Sequence, residues 1–275
     1  MEIKDIAGLS EPLTRIIDCL DKGVSSLASP FVYKRMEKAK LLIEQKRADQ
    51  NAVIALKDAM TQDLITVART TRDRQEIENI SAIYGNALIE LQSFGEKSLP
   101  QELVKPEWAA HFFDNAKDCC DEEVQLLWSK ILAGEIKEPG KYYKRTLTNL
   151  KQMERHEAEW FCKMCKYVID KSYLPVFAID KDYLPFNEYQ SLVDCGFLNA
   201  DHGSMEIAND CIIRVNTVKI ELKLLKETYH TRVATLTDTG LQICELVNME
   251  TDDDYVQKLI KILNESQIVT ARVIE

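Results

Sequence analysis

Two sets of side chains in this 275-residue chain have the types and spacing that chemistry uses. Cys162 and Cys165 form a C-x-x-C, the spacing of a redox dithiol or of half a zinc site. They fall within Glu157-Ala-Glu-Trp-Phe-Cys-Lys-Met-Cys165, where a separation of three places both on one helical face beside Trp160 and Phe161. No second C-x-x-C and no H-x-x-x-H follows, so the sequence favours core packing by two small apolar thiols over a metal or redox centre. Cys119 and Cys120 are adjacent, point to different faces of a helix, and are poorly placed to bind one ion. The second set is Glu135, Arg145 and Lys151, a polar cluster suited to a ligand or partner, in which Arg145 could pair with Glu135 across Pro139-Gly140. Glu122 and Glu123 suit a first helical turn and need no catalytic role.

No G-x-S-x-G, G-x-x-x-x-G-K or H-E-x-x-H occurs, and the four histidines, at 111, 156, 202 and 230, share no ligand spacing. The sequence therefore assigns no catalytic, cofactor-binding or metal-binding residue, and it disfavours an enzyme. The eight cysteines are spread thinly, with no apolar signal segment ahead of them, so reduced thiols and a cytoplasmic location are expected. The formal net charge of −10 provides no global field for nucleic acid phosphates or anionic lipid, so any such binding must be local.

The elements that must position these groups are mostly helical, since 9 Gly and 7 Pro leave few turn formers. Ser10 caps a helix over 10–28 whose stripe is Leu13, Ile16, Ile17, Leu20, Val24 and Leu27. That stripe fits packing against another helix better than docking on a membrane, because Arg15 and Lys22 are its only bases. From Phe31 to Gln92 there is no Pro and only Gly85, which would give a rod of about 90 Å if unbroken. A break is expected near Gln45–Asn51. Val53, Leu56, Met60, Leu64 and Val67 then form one seam, and Ile77, Ile80, Tyr84, Ala87 and Leu91 another. The seams are separated by a polar stretch from Arg69 to Glu76, read as a corner or a solvated face.

Residues 95–106 read as a linker, followed by a helix from Glu107 to Ala116. Asp121 caps a second helix that carries Leu127, Trp128, Ile131 and Leu132 as core residues and stops near Gly134. Helices over Tyr143–Met153 and Glu157–Asp170 follow. Beyond Ser172 the period changes: Tyr173–Ile179 is extended, Asn187–Cys195 helical, and Ile212–Leu225 and Arg232–Leu236 alternate like half-buried strands. Thr237 or Asp238 caps a further helix, and Val256–Leu263 and Gln267–Ile274 read as helix and strand. Leu192, Gly196, Leu198, Leu236, Thr237 and Gly240 match the skeleton of a winged-helix-like module, although residues 151–275 hold 14 bases against 21 acids. The expected fold is mainly α: a helical region over 1–94, a central helical core over 107–170, and an α+β winged-helix-like module over 171–275.

The most specific string is Asp121-Glu-Glu-Val-Gln-Leu-Leu-Trp-Ser-Lys-Ile-Leu-Ala-Gly-Glu135, with Pro139-Gly140 and Arg145-Thr-Leu-Thr-Asn-Leu-Lys151 after it. It resembles an uncharacterised bacterial family, domain-of-unknown-function family 2806, as do Ser10-Glu-Pro-Leu-Thr-Arg-Ile-Ile17 and Arg74-Gln-Glu-Ile-Glu-Asn-Ile80. The sequence departs from that pattern at Cys119-Cys120 and at Tyr142-Tyr143. A more distant likeness, in the Leu-Trp helix and the leading Pro-Leu helix, is to the alpha-type proteins of abortive infection, and it implies an antiviral setting. The resulting expectation is a non-catalytic sensor or adaptor that meets a protein partner or a second copy through its N-terminal helices. The alternative is a DNA-binding regulator acting through the C-terminal module, with nucleic acid disfavoured by charge and peripheral membrane contact weaker still.

Overall fold

The computed structural model describes residues 10–24, 71–92, 99–226, 228–247 and 249–274. Within it the chain divides into two compact units, Met1–Lys151 and Gln152–Glu275.

The described part of the first unit is built from helices α1 (Ser10–Val24), α2 (Thr71–Gln92), α3 (Pro106–Ala116), α4 (Glu122–Lys137) and α5 (Lys144–Gln152). Threefold and fourfold spacing of apolar residues dictates which faces are covered. On α2, Ile80, Ile83, Tyr84, Ala87, Leu88 and Leu91 are buried, and this helix packs on α4. Ile16 and Cys19 are buried on α1, which packs on α3. The aromatic centre is Phe112, stacked on Trp108 at 5.2 Å and meeting the edges of Trp128 at 5.3 Å and Tyr84 at 6.2 Å. Trp128, Ile131 and Leu132 are fully buried, while Leu127 is half-buried.

Local capping fixes the helix starts. Pro106 opens α3, where its missing N–H costs nothing. Asp121 accepts from the N–H groups of Glu123 (3.0 Å) and Val124 (3.2 Å) at the start of α4. The extended segment before α3 is held by α1, whose Arg15 donates to the Pro100 carbonyl (2.6 Å) and Lys22 to that of Val104 (3.1 Å). Helix α2 already runs from Thr71, so Arg74 and Glu76 lie on a helix and not at a corner. Leu27, the expected break at 45–51 and the seam from Val53 to Val67 lie outside the described residues.

The second unit holds α6 (Arg155–Cys165), β1 (Tyr173–Pro175), α7 (Phe186–Asp194), β2 (Leu198–Ile207), β3 (Cys211–Val215), β4 (Val218–Leu224), β5 (Tyr229–Leu236), α8 (Asp238–Cys244), α9 (Asp253–Glu265) and β6 (Val269–Ile274). One antiparallel sheet has the order β1-β5-β2, with Leu174 opposite Ala234 and Ser204 opposite Arg232. The other has the order β3-β4-β6, with Ile213 opposite Ile220 and Leu222 opposite Ala271. The run read as one strand over 212–225 turns at Asn216, whose φ of 51° suits a tight hairpin between Val215 and Val218. Helix α9 packs on β6. Its Tyr255 is surrounded by Tyr167, Phe177 and Tyr183 at 4.9–5.6 Å and donates its hydroxyl to the Tyr167 carbonyl at 2.7 Å.

These observations correct the expected fold class. The chain is mixed α+β, not mainly α with a winged-helix-like end. The motif skeleton reports a local helix–strand join: Gly196 takes φ +76°, Thr237 donates to the Gly196 carbonyl (2.7 Å) and accepts from the Gly240 N–H (3.1 Å). Among the described residues that join sits in a unit of six strands in two sheets, where β5 is a central strand and β6 pairs with β4. Among the described residues no helix is long and apolar enough to cross a membrane.

Gly240 is fixed by contact: a Cβ there would fall inside the Phe197 carbonyl oxygen, which is backbone and cannot swing away. Gly240→Ala is expected to destabilise the second unit by about 3 kcal/mol or more, the upper end of the overpacking range. Urea unfolding followed by circular dichroism measures this, and a change within about 0.5 kcal/mol, the level of an ordinary surface substitution, would contradict it.

Candidate functional site

The string centred on Trp128 leads directly into the most enclosed charged group among the described residues. Glu135 lies one turn after Ile131 on the buried face of α4 and is only 1% exposed. Its two oxygens accept from the backbone of the following loop, Oε1 from the Gly140 N–H at 2.7 Å and Oε2 from the Tyr142 N–H at 3.0 Å. Tyr142 is held from two further sides. Its carbonyl accepts from Trp108 Nε1 on α3 at 2.8 Å, and its ring lies over Gly134, where a Cβ would come within 2.7 Å of ring atoms. Gly140, at φ +90°, allows the chain to fold back over the end of α4. The helix expected to stop near Gly134 runs on to Lys137 because this glycine makes room for a ring and does not end the helix.

Burial pushes the Glu135 carboxyl above its ordinary value, and this outweighs the opposing effects of the loop N–H groups and Lys105. At the end of the same helix the Lys137 ammonium is lowered to about 8, first by burial and further by Lys141, with Glu90 acting against them. Sequence reasoning singled out Glu135 but missed Trp108, Gly134 and Tyr142 as parts of the arrangement around it. Arg145 is not the partner of Glu135; it is exposed on the first turn of α5. Lys151, at the other end of α5, pairs with Asp118 (3.2 Å) and donates to the Asp114 carbonyl (3.1 Å). The three residues of the expected cluster thus engage different surroundings. What the geometry brings together is a buried carboxylate and the backbone of its own loop.

A second polar group ties α2 to the connection between α3 and α4. Asn79, 3% exposed, donates to the Lys117 carbonyl at 2.8 Å and accepts from Gln75 and Gln125 at 3.1 and 3.4 Å. Gln125 also donates to the Cys119 carbonyl at 2.8 Å. Burial pushes the Cys119 thiol up to about 11 and the Cys19 thiol up to about 12, so both stay protonated near neutral pH. Cys165 is buried and Cys162 half-buried. Among the described residues no three His, Cys, Asp or Glu side chains are grouped to hold a metal ion.

Glu135→Ala leaves the buried Tyr142 N–H without its acceptor and is expected to cost the first unit about 2–3 kcal/mol in urea unfolding. Because the folded-state carboxyl titrates above its unfolded value, the stability this group contributes is fully present below the unfolded value and declines as pH rises through the raised one. Wild type should therefore lose stability relative to Glu135→Gln as pH rises from just below the ordinary carboxyl value of 4.5. A pH-independent difference between the two proteins would contradict the assignment.

Residues 66–175 match the model of the family described as a protein of unknown function, DUF2806. Comparisons with curated proteins and with solved structures give no match. The matched segment begins before α2, contains the Trp108 and Glu135 contacts, and ends with β1. The segment from 66 to 175, with its buried carboxylate and clamped loop, is the part of the chain that is similar to the DUF2806 family.

Proposed function

We propose that this is a non-catalytic interaction or adaptor protein, and that Tyr143 and Arg145 at the start of α5 form part of its protein-contact surface. The observation that carries this reading is the loop clamp. Glu135 fixes Gly140 and Tyr142, and the next residues in the chain, Tyr143 at 53% exposure and the exposed Arg145, are presented on a loop and helix start whose backbone is held. A preorganised tyrosine and arginine bind with little ordering cost, and these two residue types dominate contact energy at protein interfaces. Glu135 is engaged by its own loop, which supports a positioning role over a reacting one. The abortive-infection setting is attached to this reading through sequence resemblance.

The test uses the full-length protein in the bacterial host that encodes it. Deletion of the gene is expected to raise phage plating efficiency for at least one phage of a broad panel, and wild type to restore protection. Tyr143→Ala combined with Arg145→Glu, with an unchanged circular dichroism spectrum and unfolding midpoint, is expected not to restore it. Unchanged phage sensitivity on deletion would remove the defence setting. Full restoration by the folded double variant would remove the contact surface.

A further inference from the structure

Charge is distributed unevenly over the second unit. Side chains of the sheet β3-β4-β6 alternate between its two faces, and Ile213, Ile220, Leu222 and Ala271 take the buried one. The opposite face carries Arg214 on β3, Lys219, Glu221 and Lys223 on β4, and Arg272 on β6. Four bases thus stand beside one acid in a chain whose formal net charge is −10. The bases are exposed, and Glu221 is shared between Arg272 at 2.7 Å and Lys223 at 3.9 Å. Arg214 lies directly opposite Lys219, a like-charge pairing that costs a sheet stability. Exposed aliphatic groups border these bases: Ile212, opposite Glu221, is 47% exposed, and Leu225, just past the end of β4, is 61% exposed. The outer strands carry side-chain caps on their free edges. Asp170 accepts from the Arg214 N–H at 2.9 Å, and Asn264 bonds both the N–H (2.7 Å) and the carbonyl (3.1 Å) of Ala271. Asp210, just before β3, is turned to the Leu224 N–H at 2.8 Å.

We infer that this face of β3-β4-β6 docks a short acidic segment of another protein, an Asp- or Glu-rich helix or peptide with aliphatic residues between its acids. Charge complementarity supplies the attraction. Carboxylates of the partner meet Arg214, Lys219, Lys223 and Arg272 and relieve the repulsion between Arg214 and Lys219, while its aliphatic groups cover Ile212 and Leu225. Docking is by side chains and not by strand addition, because Asp170 and Asn264 hold edge groups that an added strand would need. The dimensions select the occupant. Three strands about 4.8 Å apart make a face about 10 Å across, the width of one helix. A duplex or a bilayer would reach beyond that face over a unit in which residues 151–275 hold 14 bases against 21 acids. Strands β3, β4 and β6 contain no aromatic residue on which an unpaired base could stack, so single-stranded nucleic acid is also a poorer fit. This surface belongs to the second unit and stands independently of Tyr143 and Arg145.

The test selects from a display library of random peptides of about 16 residues, long enough to span the face as a helix, on the full-length wild-type protein. Enriched peptides are expected to be rich in Asp and Glu with Leu, Ile or Val interspersed, and their affinity, read by fluorescence anisotropy, to fall as salt rises. Arg214→Glu combined with Lys223→Glu, with an unchanged circular dichroism spectrum, should bind them about tenfold more weakly or worse. Lysine acetylation of the wild type, mapped by mass spectrometry, gives a reading that needs no variant: bound peptide should protect Lys219 and Lys223 and leave Lys261, whose side chain is 74% exposed on α9, unchanged. Enrichment without acidic character, undiminished binding by the folded double variant, or unprotected Lys219 and Lys223 would overturn the inference. An oligothymidine strand and phosphatidylserine vesicles are titrated alongside. Tighter binding of either than of the peptides, with the same two lysines protected, would overturn it in favour of nucleic acid or a membrane.

Discussion

The first unit depends on the burial of one carboxylate. A carboxylate taken out of water loses solvation worth several kcal/mol, and it persists inside a fold only where strong hydrogen-bond donors replace the water. Glu135 finds those donors in peptide N–H groups of its own loop. Such bonds are charge-assisted and about twice as strong as neutral ones, yet the raised titration of the group indicates that burial still wins. The net yield is modest in stability and large in geometry. Once Glu135 is placed by α4, Gly140 and Tyr142 have one position, and Tyr142 in turn gives Trp108 its acceptor and covers Gly134. Trp108 stacks on Phe112, so the clamp is continuous with the aromatic centre that joins α2, α3 and α4.

The other polar contacts in this core follow the same pattern. Asn79 and Gln125 satisfy the carbonyls of Lys117 and Cys119 at a tight connection that has too few residues to form its own ladder. Replacing either by a similarly shaped apolar residue would remove the partner of a part-buried carbonyl, a loss of about 1 kcal/mol. Tyr84 is the exception. Its hydroxyl is buried without a hydrogen-bond partner while its ring meets Phe112 edge to face. The ring's burial and edge contact must outweigh that stranded hydroxyl, which places Tyr84 as a packing residue whose polar atom is tolerated.

Features that were legible in the sequence are those whose cause is local. The cap at Asp121, the seam from Ile80 to Leu91 and the Thr237–Gly240 join each need residues within a few positions of one another, and the structure places them as that spacing requires. The partner of Glu135 was not legible, because backbone N–H groups have no residue type; the nearby arginine drew the expectation instead. Strand β2 was hidden for another reason: in Leu198-Asn-Ala-Asp-His-Gly-Ser-Met-Glu-Ile207 only the ends are apolar, and six consecutive residues are exposed. An irregular register between Leu198 and His202 removes the strict alternation that a strand would otherwise print on its sequence. The winged-helix expectation is not confirmed: its six matching residues specify one join, whereas the sheets are specified by pairings such as Leu222 with Ala271, 49 residues apart.

The contrast between the clamp and the sheets bears on what a substitution can do in each unit. In the first unit the loop of 138–142 has little regular structure, and its position derives from side chains reaching it from α3 and α4. Loss of one such side chain frees the loop while leaving the helices their apolar faces, so geometry fails before the fold does. In the second unit the backbone itself carries the pairing, through the ladders of β1-β5-β2 and β3-β4-β6. There a backbone clash, such as a side chain introduced against the Phe197 carbonyl, opposes the ladder at its root, and stability fails first. The first unit can therefore vary its presented surface by changing the residues that hold a loop, while the second has that freedom only on the exposed faces of its strands.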